Sequence, residues 1–585
     1  MSNFLKKNEK RLTSIIALSL AVILVAMIAW IAIDKFLSVS PYFEDQTFAG
    51  ALADGLDKTA RFLNEKDIEK FEVMVVSCYV QCDASTGYQT LTIPYVTLGY
   101  ADYADYIIEN TRTMNEEKEE EEEKEESAET SDTSETSKDE GPKFDTVQVY
   151  ATPTTIKDIV KFANLRVLSV IDSSTAYDIS YNVYMASMYS QLLGTTSNIS
   201  ASTIYNAIVP DDLTSLKDIS VLTNLEYLGV AYSHLSNLEG IENFPKLVAL
   251  DASTCKLTSV AGIEKASDLI ALYLGSNTLT SIDGVEKLKN LETIDVSSNK
   301  LEKLPAFDAD SKLVNLSVSS NKIEKLDVKL NNLKTLYADG NVIKELTVTA
   351  PVLETLNLAD NKIVMLDPLK DLTTLETLDL SGNGGIIDIA PLAGMTKLTA
   401  LGLKFTEKNP SNKLVSIEAL KDMTELETLT ISYTGVKDIA PLANLTKLTS
   451  LTISNSAVES TAALEKLTKL TTVDLSVNKI NDVSGLKNKK ELTSLNLTDN
   501  MIKDISGLKG AFDVEKIKTL NFKDNMITDW KPLEAYTKAT ITKDNNSANK
   551  TEKDETSKDE TSKDETSGEV FEEVSEEVSN TETSK

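Results

Sequence analysis

Side chains able to carry out chemistry are sparse in this sequence. Its 585 residues hold one histidine, His234, and three cysteines, Cys78, Cys82 and Cys255. Imidazole acid–base work thus has a single candidate, and no serine, threonine or cysteine stands in a motif that pairs it with a base. His234 lies on an ordinary copy of a repeat, which favours a structural role. A zinc site needs about four nitrogen or sulfur ligands. His234 is far in sequence from Cys78 and Cys82, so neither a metal nor a cofactor is expected. Cys78 and Cys82, four apart, fit either a disulfide in an oxidising compartment or two free thiols in a half-buried strand. With no phosphate-cradling glycine loop either, the chain does not read as an enzyme.

Two groups of side chains suit binding better than catalysis. Asp251, Asp295, Asp379 and Asp474 recur at one place in a repeated unit and share one solvent-facing column. They suit calcium or a basic ligand, or else the ordinary L-D-L-S wording of such strands. Tyr227, Tyr232, Tyr273, Tyr337, Phe405 and Tyr433 stand among small polar residues on the same face, and aromatic residues anchor binding surfaces. Tyr273 and Tyr337 share a column three units apart.

The element that must position them is a unit of about 22 residues reading L-x-x-L-x-L-x-x-N-x-L/I. It is seen in Leu291-Glu-Thr-Ile294-Asp-Val296-Ser-Ser-Asn299-Lys-Leu301 and in Leu492-Thr-Ser-Leu495-Asn-Leu497-Thr-Asp-Asn500-Met-Ile502. First positions fall at 225, 247, 269, 291, 313, 333, 353, 375, 398, 426, 448, 470, 492 and 517. Steps of 28 and 25 imply loops near 405–415 and 508–514. The L-x-L core reads as a short parallel strand with leucines inward and the intervening residues outward. The asparagine turns the chain out of the strand, where its amide can satisfy buried backbone groups coil after coil. Asn277, Asn299, Asn321, Asn341, Asn361, Asn383, Asn478, Asn500 and Asn525 fill this ladder, and Ser233, Cys255, Thr434 and Ser456 interrupt it.

The second half of each unit, as in Asp438-Ile-Ala-Pro441-Leu442, carries proline or glycine and predicts short 3₁₀ turns rather than helices. Earlier strand matches at Phe144-x-x-Val147-x-Val149, Leu165-x-x-Leu168-x-Val170 and, weakly, Ile204-x-x-Ala207-x-Val209 leave 173–203 as an insertion. About seventeen coils at roughly 4.7 Å each make an array on the order of 80 Å long. The expected fold is an α/β solenoid: a horseshoe with parallel strands on its concave face and 3₁₀ turns on its convex face.

At the N-terminus, nineteen uncharged residues run from Ile15 to Ile33, after Lys6, Lys7, Lys10 and Arg11. That is near the roughly 20 residues needed to span a bilayer. Basic residues stay in the cytoplasm. The expectation is a cytoplasmic segment 1–12, a transmembrane anchor 13–35 and an extracellular bulk; cleavage as a signal peptide, releasing the protein, is the alternative. The net charge of −32 argues against nucleic acid. Residues 116–140 carry −11 of it and 544–585 carry −9. An insertion at 115–142 and a tail at 543–585 are expected to be disordered, as charged, Ser/Thr-rich chain cannot offset its ordering entropy.

Strings such as LTKLTSLTISNSAVES and DIAPLANLTKL, at 22-residue spacing, resemble the internalin-type leucine-rich repeats of bacterial surface proteins. The resemblance covers roughly 40–540 and is specific in 225–540. It extends to a helical cap at 42–72, with Phe48, Leu52 and Leu56 on one face and Asn64-Glu-Lys-Asp67-Ile68 behind it; the strand FEVMVV then opens a solenoid running over 73–542. The resemblance implies a concave face that binds a protein or glycan and no catalytic residues. The chain ends in NTETSK without a wall-sorting motif or a following immunoglobulin-like domain, so anchoring falls to the N-terminal helix. The expected function is a membrane-anchored cell-surface binding protein. The alternative is a structural envelope protein without a discrete ligand.

Overall fold

The computed structural model describes residues 43–82 (apart from 57, 59, 61 and 62), 90–113, 145–149, 155–171, 210–408 and 413–546. No helix among the described residues is long and apolar enough to cross a membrane. The proposed anchor at 13–35 and the acidic stretch 115–142 lie outside the described residues, as does most of the tail.

The chain enters through helix α1 (Gln46–Gly55), capped by Asp45, which accepts from the backbone of Thr47 and Phe48. Its buried face carries Phe48, Ala49, Leu52 and Ala53. The short helix α2 (Glu65–Ile68) opens with a capping box between Asn64 and Asp67. Strand β1 (Val73–Cys82) follows and turns back as β2 (Thr90–Gly99), antiparallel. Helix α3 (Ala101–Thr113) comes next, then β3 (Thr146–Val149), the one-turn α4 (Ile156–Ile159) and β4 (Val167–Ile171). The buried carboxylate of Asp158 ties the two ends of this region together. It accepts from the backbone of Glu44 and Asp45 at 2.9 and 2.7 Å and pairs with Lys161.

One of the early strand matches does not form a coil in line. β1 pairs in parallel with β4, Val73 opposite Val167, and β3 pairs instead with β2 at the outer edge. Among the described residues β3 is therefore the edge strand of the N-terminal hairpin. β4 in turn pairs directly with β5 (Tyr227–Val230), Leu168 opposite Leu228, and the weak match at 204–209 lies outside the described residues. β1 also carries Cys78 and Cys82, whose side chains lie outside the described residues.

From Tyr227 onward the array is regular. Each strand pairs in parallel with the next in one register, as in Thr293 opposite Asn315 and Ile294 opposite Leu316. The inward leucines are buried, Leu228, Leu250, Leu272 and Leu316 among them, in one continuous core from Phe43 to Tyr536. No coil could bury this face alone, so the stack is the cooperative unit. The convex side carries 3₁₀ turns such as Val285–Lys287, Ala390–Gly394 and Ala440–Asn444. Two coils depart from this. In the 20-residue units the convex segments Lys325–Lys329 and Glu345–Thr349 are strands, paired in parallel as a second sheet. Two fewer residues leave no length for a turn, and Leu326-x-Val328 and Leu346-x-Val348 alternate with the period of a strand.

The asparagines form a hydrogen-bonded ladder. The Asn299 amide nitrogen donates to the carbonyls of Leu274, Val296 and Ser297 at 2.9, 3.1 and 3.1 Å, and its Oδ1 accepts from the backbone of Leu279 at 2.9 Å. Asn383 and Asn500 repeat this pattern. Asn546, inside the span expected to be tail, does the same for Ile527 and Phe522, so the array extends one coil beyond the sequence reading. Each rung serves carbonyls in two coils. Asn299→Ala should therefore cost about 1–3 kcal/mol, while Lys300→Ala, exposed next door, should cost little. Urea unfolding of the two variants checks this; equal losses would refute the ladder's role.

Candidate ligand-binding face

The concave face is built by the outward residues of the strands, and the aspartate column is the first part of it to test. Asp295 Oδ1 accepts from the backbone N–H of Ser297 at 2.8 Å, Asp379 from Ser381 at 2.8 Å, Asp474 from Ser476 at 2.9 Å and Asp251 from Ser253 at 3.0 Å. Asn357, Asn496 and Asn521 do the same in their coils. The column caps the end of each strand, and a neutral amide serves as well as a carboxylate. Among the described residues no group of three or more His, Cys, Asp or Glu could hold a metal ion.

The six aromatic candidates separate. Phe405 is fully buried in the core and cannot meet a ligand. It occupies the residue before the ladder position, as do Tyr232 and Tyr433. Those two adopt left-handed backbone, φ 59° and 55°, with rings partly packed on the core. The same conformation recurs there in most coils, at Ser276, Ser298, Ser320, Asp360 and Asp499 among others. These tyrosines therefore sit in a turn and not on the strand. Tyr273 is half-buried between neighbouring carboxylates. Burial, with Asp251 and Asp295 on either side, pushes its phenol up to about 12. Tyr337 alone presents a ring from a strand, 42% exposed.

Tyr227 meets a different fate. Helix α3 lies across the first coils, and its Ala104 and Ile108 pack in a buried cluster with Val73, Val167 and Val248; Val75, Tyr103, Ile107, Tyr227 and Ile270 pack against this cluster. An ion-pair node fixes the helix. The Arg166 guanidinium reaches Asp105 of α3 at 2.7 Å, Glu226 at 2.6 Å and Glu72 at 3.3 Å. The N-terminal end of the concave face is thus covered by the chain itself. Sequence reasoning missed this helix, although a signal was present. Val248 and Ile270 stand in a column that holds Glu292, Val314, Lys334, Glu354 and Glu376 further along. From Thr293 onward the face is a half-exposed surface of threonine, serine and asparagine.

The ladder gaps are closed chemically. Ser233 Oγ lies 3.3 Å from Cys255 Sγ, which donates to the Val230 carbonyl at 3.2 Å. Burial pushes the Cys255 thiol up to about 11, so it stays protonated as a donor at neutral pH. Thr434 and Ser456 share a hydroxyl–hydroxyl bond of 2.8 Å.

Residues 268–309, 351–394 and 468–510 match the family model described as Leucine Rich repeats (2 copies). No curated protein matches the chain. Among solved structures, an internalin (inlF) from Listeria monocytogenes is 24% identical, over 63% of this chain and 94% of that one, with a TM-score of 0.42. A leucine-rich-repeat protein from Leptospira interrogans is 20% identical, over 66% and 92%, with a TM-score of 0.47. The functional domain of InlJ from Listeria monocytogenes is 21% identical, over 59% and 81%, with a TM-score of 0.42. Likeness at these levels concerns the fold alone. Repeat wording, strand register, asparagine ladder and the three matched stretches agree on one fold: the described array is a leucine-rich-repeat solenoid.

Proposed function

We propose that this chain is a single-pass membrane protein that holds its repeat array outside a bacterial cell and binds a protein or glycan there. The uncharged run from Ile15 to Ile33, preceded by Lys6, Lys7, Lys10 and Arg11, supports the anchor and its direction. The observation that carries the binding role is the contrast along the concave face. Its first coils are apolar and covered by α3, while the strands from Thr293 onward present small polar side chains with Tyr337 exposed among them. Small residues let a ligand backbone or sugar ring approach closely, and a lone tyrosine offers a face to stack on.

Intact cells carrying the full chain test this reading. They should retain material from cell-wall fractions or secreted proteins, and added protease should strip the repeats and the bound material together. Tyr337→Ser should lower retention about tenfold. Lys265→Ser, Lys287→Ser and Lys466→Ser combined, all on the convex side, should leave it unchanged. If the convex set abolishes retention and Tyr337→Ser does not, the ligand lies on the other face. Repeats protected from protease would reverse the proposed orientation.

A further inference from the structure

A charged row on the flank of the array is interrupted over three adjoining coils. One residue past the buried apolar position that follows the ladder turn, successive coils carry Glu302, Glu324, Lys344, then Val364, Ile387 and Val415, then Lys437 and Glu459. Val364, Ile387 and Val415 are 51, 51 and 61% exposed, and Met365 beside them is 67% exposed. They are not core residues turned outward by error, because Ile363, Ile386 and Leu414 next to them fill the core positions. Gly385 keeps the strip continuous: a Cβ there would come 2.8 Å from Val364 Cγ2. Ion pairs bound the strip at each end, Lys344 with Glu324 and Lys437 with Glu459. Lys362 and Lys413, each two residues before a strip valine, stand exposed along one side. The result is an uncovered apolar strip rimmed by lysines, in a row whose adjoining coils carry charged side chains.

The sequence contains a segment of opposite character. Residues 569–578 read EVFEEVSEEV: five glutamates, no base, and Phe571, Val574 and Val578 at a spacing that aligns on one helical face. Elsewhere the tail from 547 to 568 is almost free of large apolar residues. The 22 residues from 547 to 568 span at most about 75 Å when extended. The strip lies about seven coils back from the last strand, roughly 34 Å, so the tether reaches it with slack. A tether of that length holds the segment at an effective concentration on the order of millimolar, enough for a small apolar contact supported by charge.

We propose that residues 569–578 dock on this strip of the same chain, Phe571, Val574 and Val578 covering Val364, Ile387 and Val415, with the glutamates facing Lys344, Lys362, Lys413 and Lys437. The docked segment folds the acidic tail back along the array's flank and leaves the concave face open. This goes beyond the binding role proposed above and stands or falls separately from it.

Photocrosslinking in the full chain tests it. With p-benzoylphenylalanine placed at Phe571, irradiation of dilute protein should yield adducts within one chain at 364–365, 387 or 415, located by mass spectrometry. Ile387→Asp with Val415→Asp should lower their yield about tenfold, with circular dichroism unchanged because both side chains are exposed. Glu572→Lys with Glu573→Lys, outside the folded array, should lower it as well and does not depend on how the strip variant folds. Adducts scattered over other surfaces, or undiminished in both variants, would overturn the proposal. Adducts formed only between two chains would overturn it in favour of a second copy as the occupant.

Discussion

Gly485→Ala should destabilise the coils around it by about 3 kcal/mol or more, whereas Gly507→Ala, at the same place one coil later, should be nearly neutral. A Cβ at Gly485 would fall 1.7 Å from the Thr461 carbonyl oxygen and 2.5 Å from its carbon, both backbone atoms. At Gly507 it would meet only the end of the flexible Lys487 side chain, at 3.3 Å. The close approach has a local cause. Thr461 stands where other coils place Ile439, Val483 or Ile505, and its buried hydroxyl accepts from the Gly485 N–H at 3.1 Å. The Thr461 backbone donates to Asp482 at 3.0 Å, and Ser460 bridges to Asp482 beside it, which draws the two coils together. Gly485 is not in the left-handed region, so the penalty is one of space and not of backbone preference. Because an array can open locally, amide exchange over 455–512 is the sharper readout beside urea unfolding. Equal costs for the two alanines would mean that the coils do not approach as described.

The Thr461–Gly485 contact marks the limit of what the sequence discloses. The inward leucines and ladder asparagines were legible because each recurs at a fixed place and obeys one rule, burial or backbone satisfaction. The last rung, Asn546, was not, because its coil puts Lys538 and Lys543 where leucines are due. Those lysines stand in the last coil among the described residues, and Lys543 lies 5.0 Å over the Trp530 ring instead. The two convex strands were hidden for a different reason. A 20-residue step signals a shorter path but does not say which backbone state takes it. At the N-terminus, β3 carries the same apolar alternation as a coil, and its antiparallel partner is a choice made by topology rather than by composition. The binding face was the least legible part. Position in the repeat placed Tyr232, Phe405 and Tyr433 near the strands, but their neighbours in the left-handed turn are mostly serine, aspartate and glycine, residues chosen for backbone rather than for contact. Tyr227 could be excluded only by finding α3, a contact between residues more than a hundred positions apart.

Replacing Lys489 by leucine should raise stability by about 2 kcal/mol at neutral pH and should also remove a pH dependence above pH 8. In neighbouring coils this position holds Leu445 and Leu467, three residues before the first leucine of the unit, and Lys489 is as fully buried as they are. Its ammonium donates to two carbonyls, Glu465 at 3.1 Å and Lys487 at 3.0 Å. Burial lowers its pKa from the usual 10.5 to about 8, against a smaller opposing pull from Glu465. The sign follows from proton binding. Below pH 8 the lysine is charged in both folded and unfolded chains, and the folded state bears the full cost of burying the charge. Between about 8 and 10.5 the unfolded chain binds the extra proton, so stability rises with pH and the cost fades. Leucine there carries no charge and matches the side chains of the neighbouring coils. Other lysines and tyrosines titrate in the same range, so the quantity to measure is the stability difference between Lys489→Leu and the parent from pH 6 to 10.5. It should be largest at low pH and shrink through the window above 8. A difference that stays flat across that range, or a leucine variant less stable than the parent at pH 7, would show that the two carbonyl bonds offset the burial of the charge.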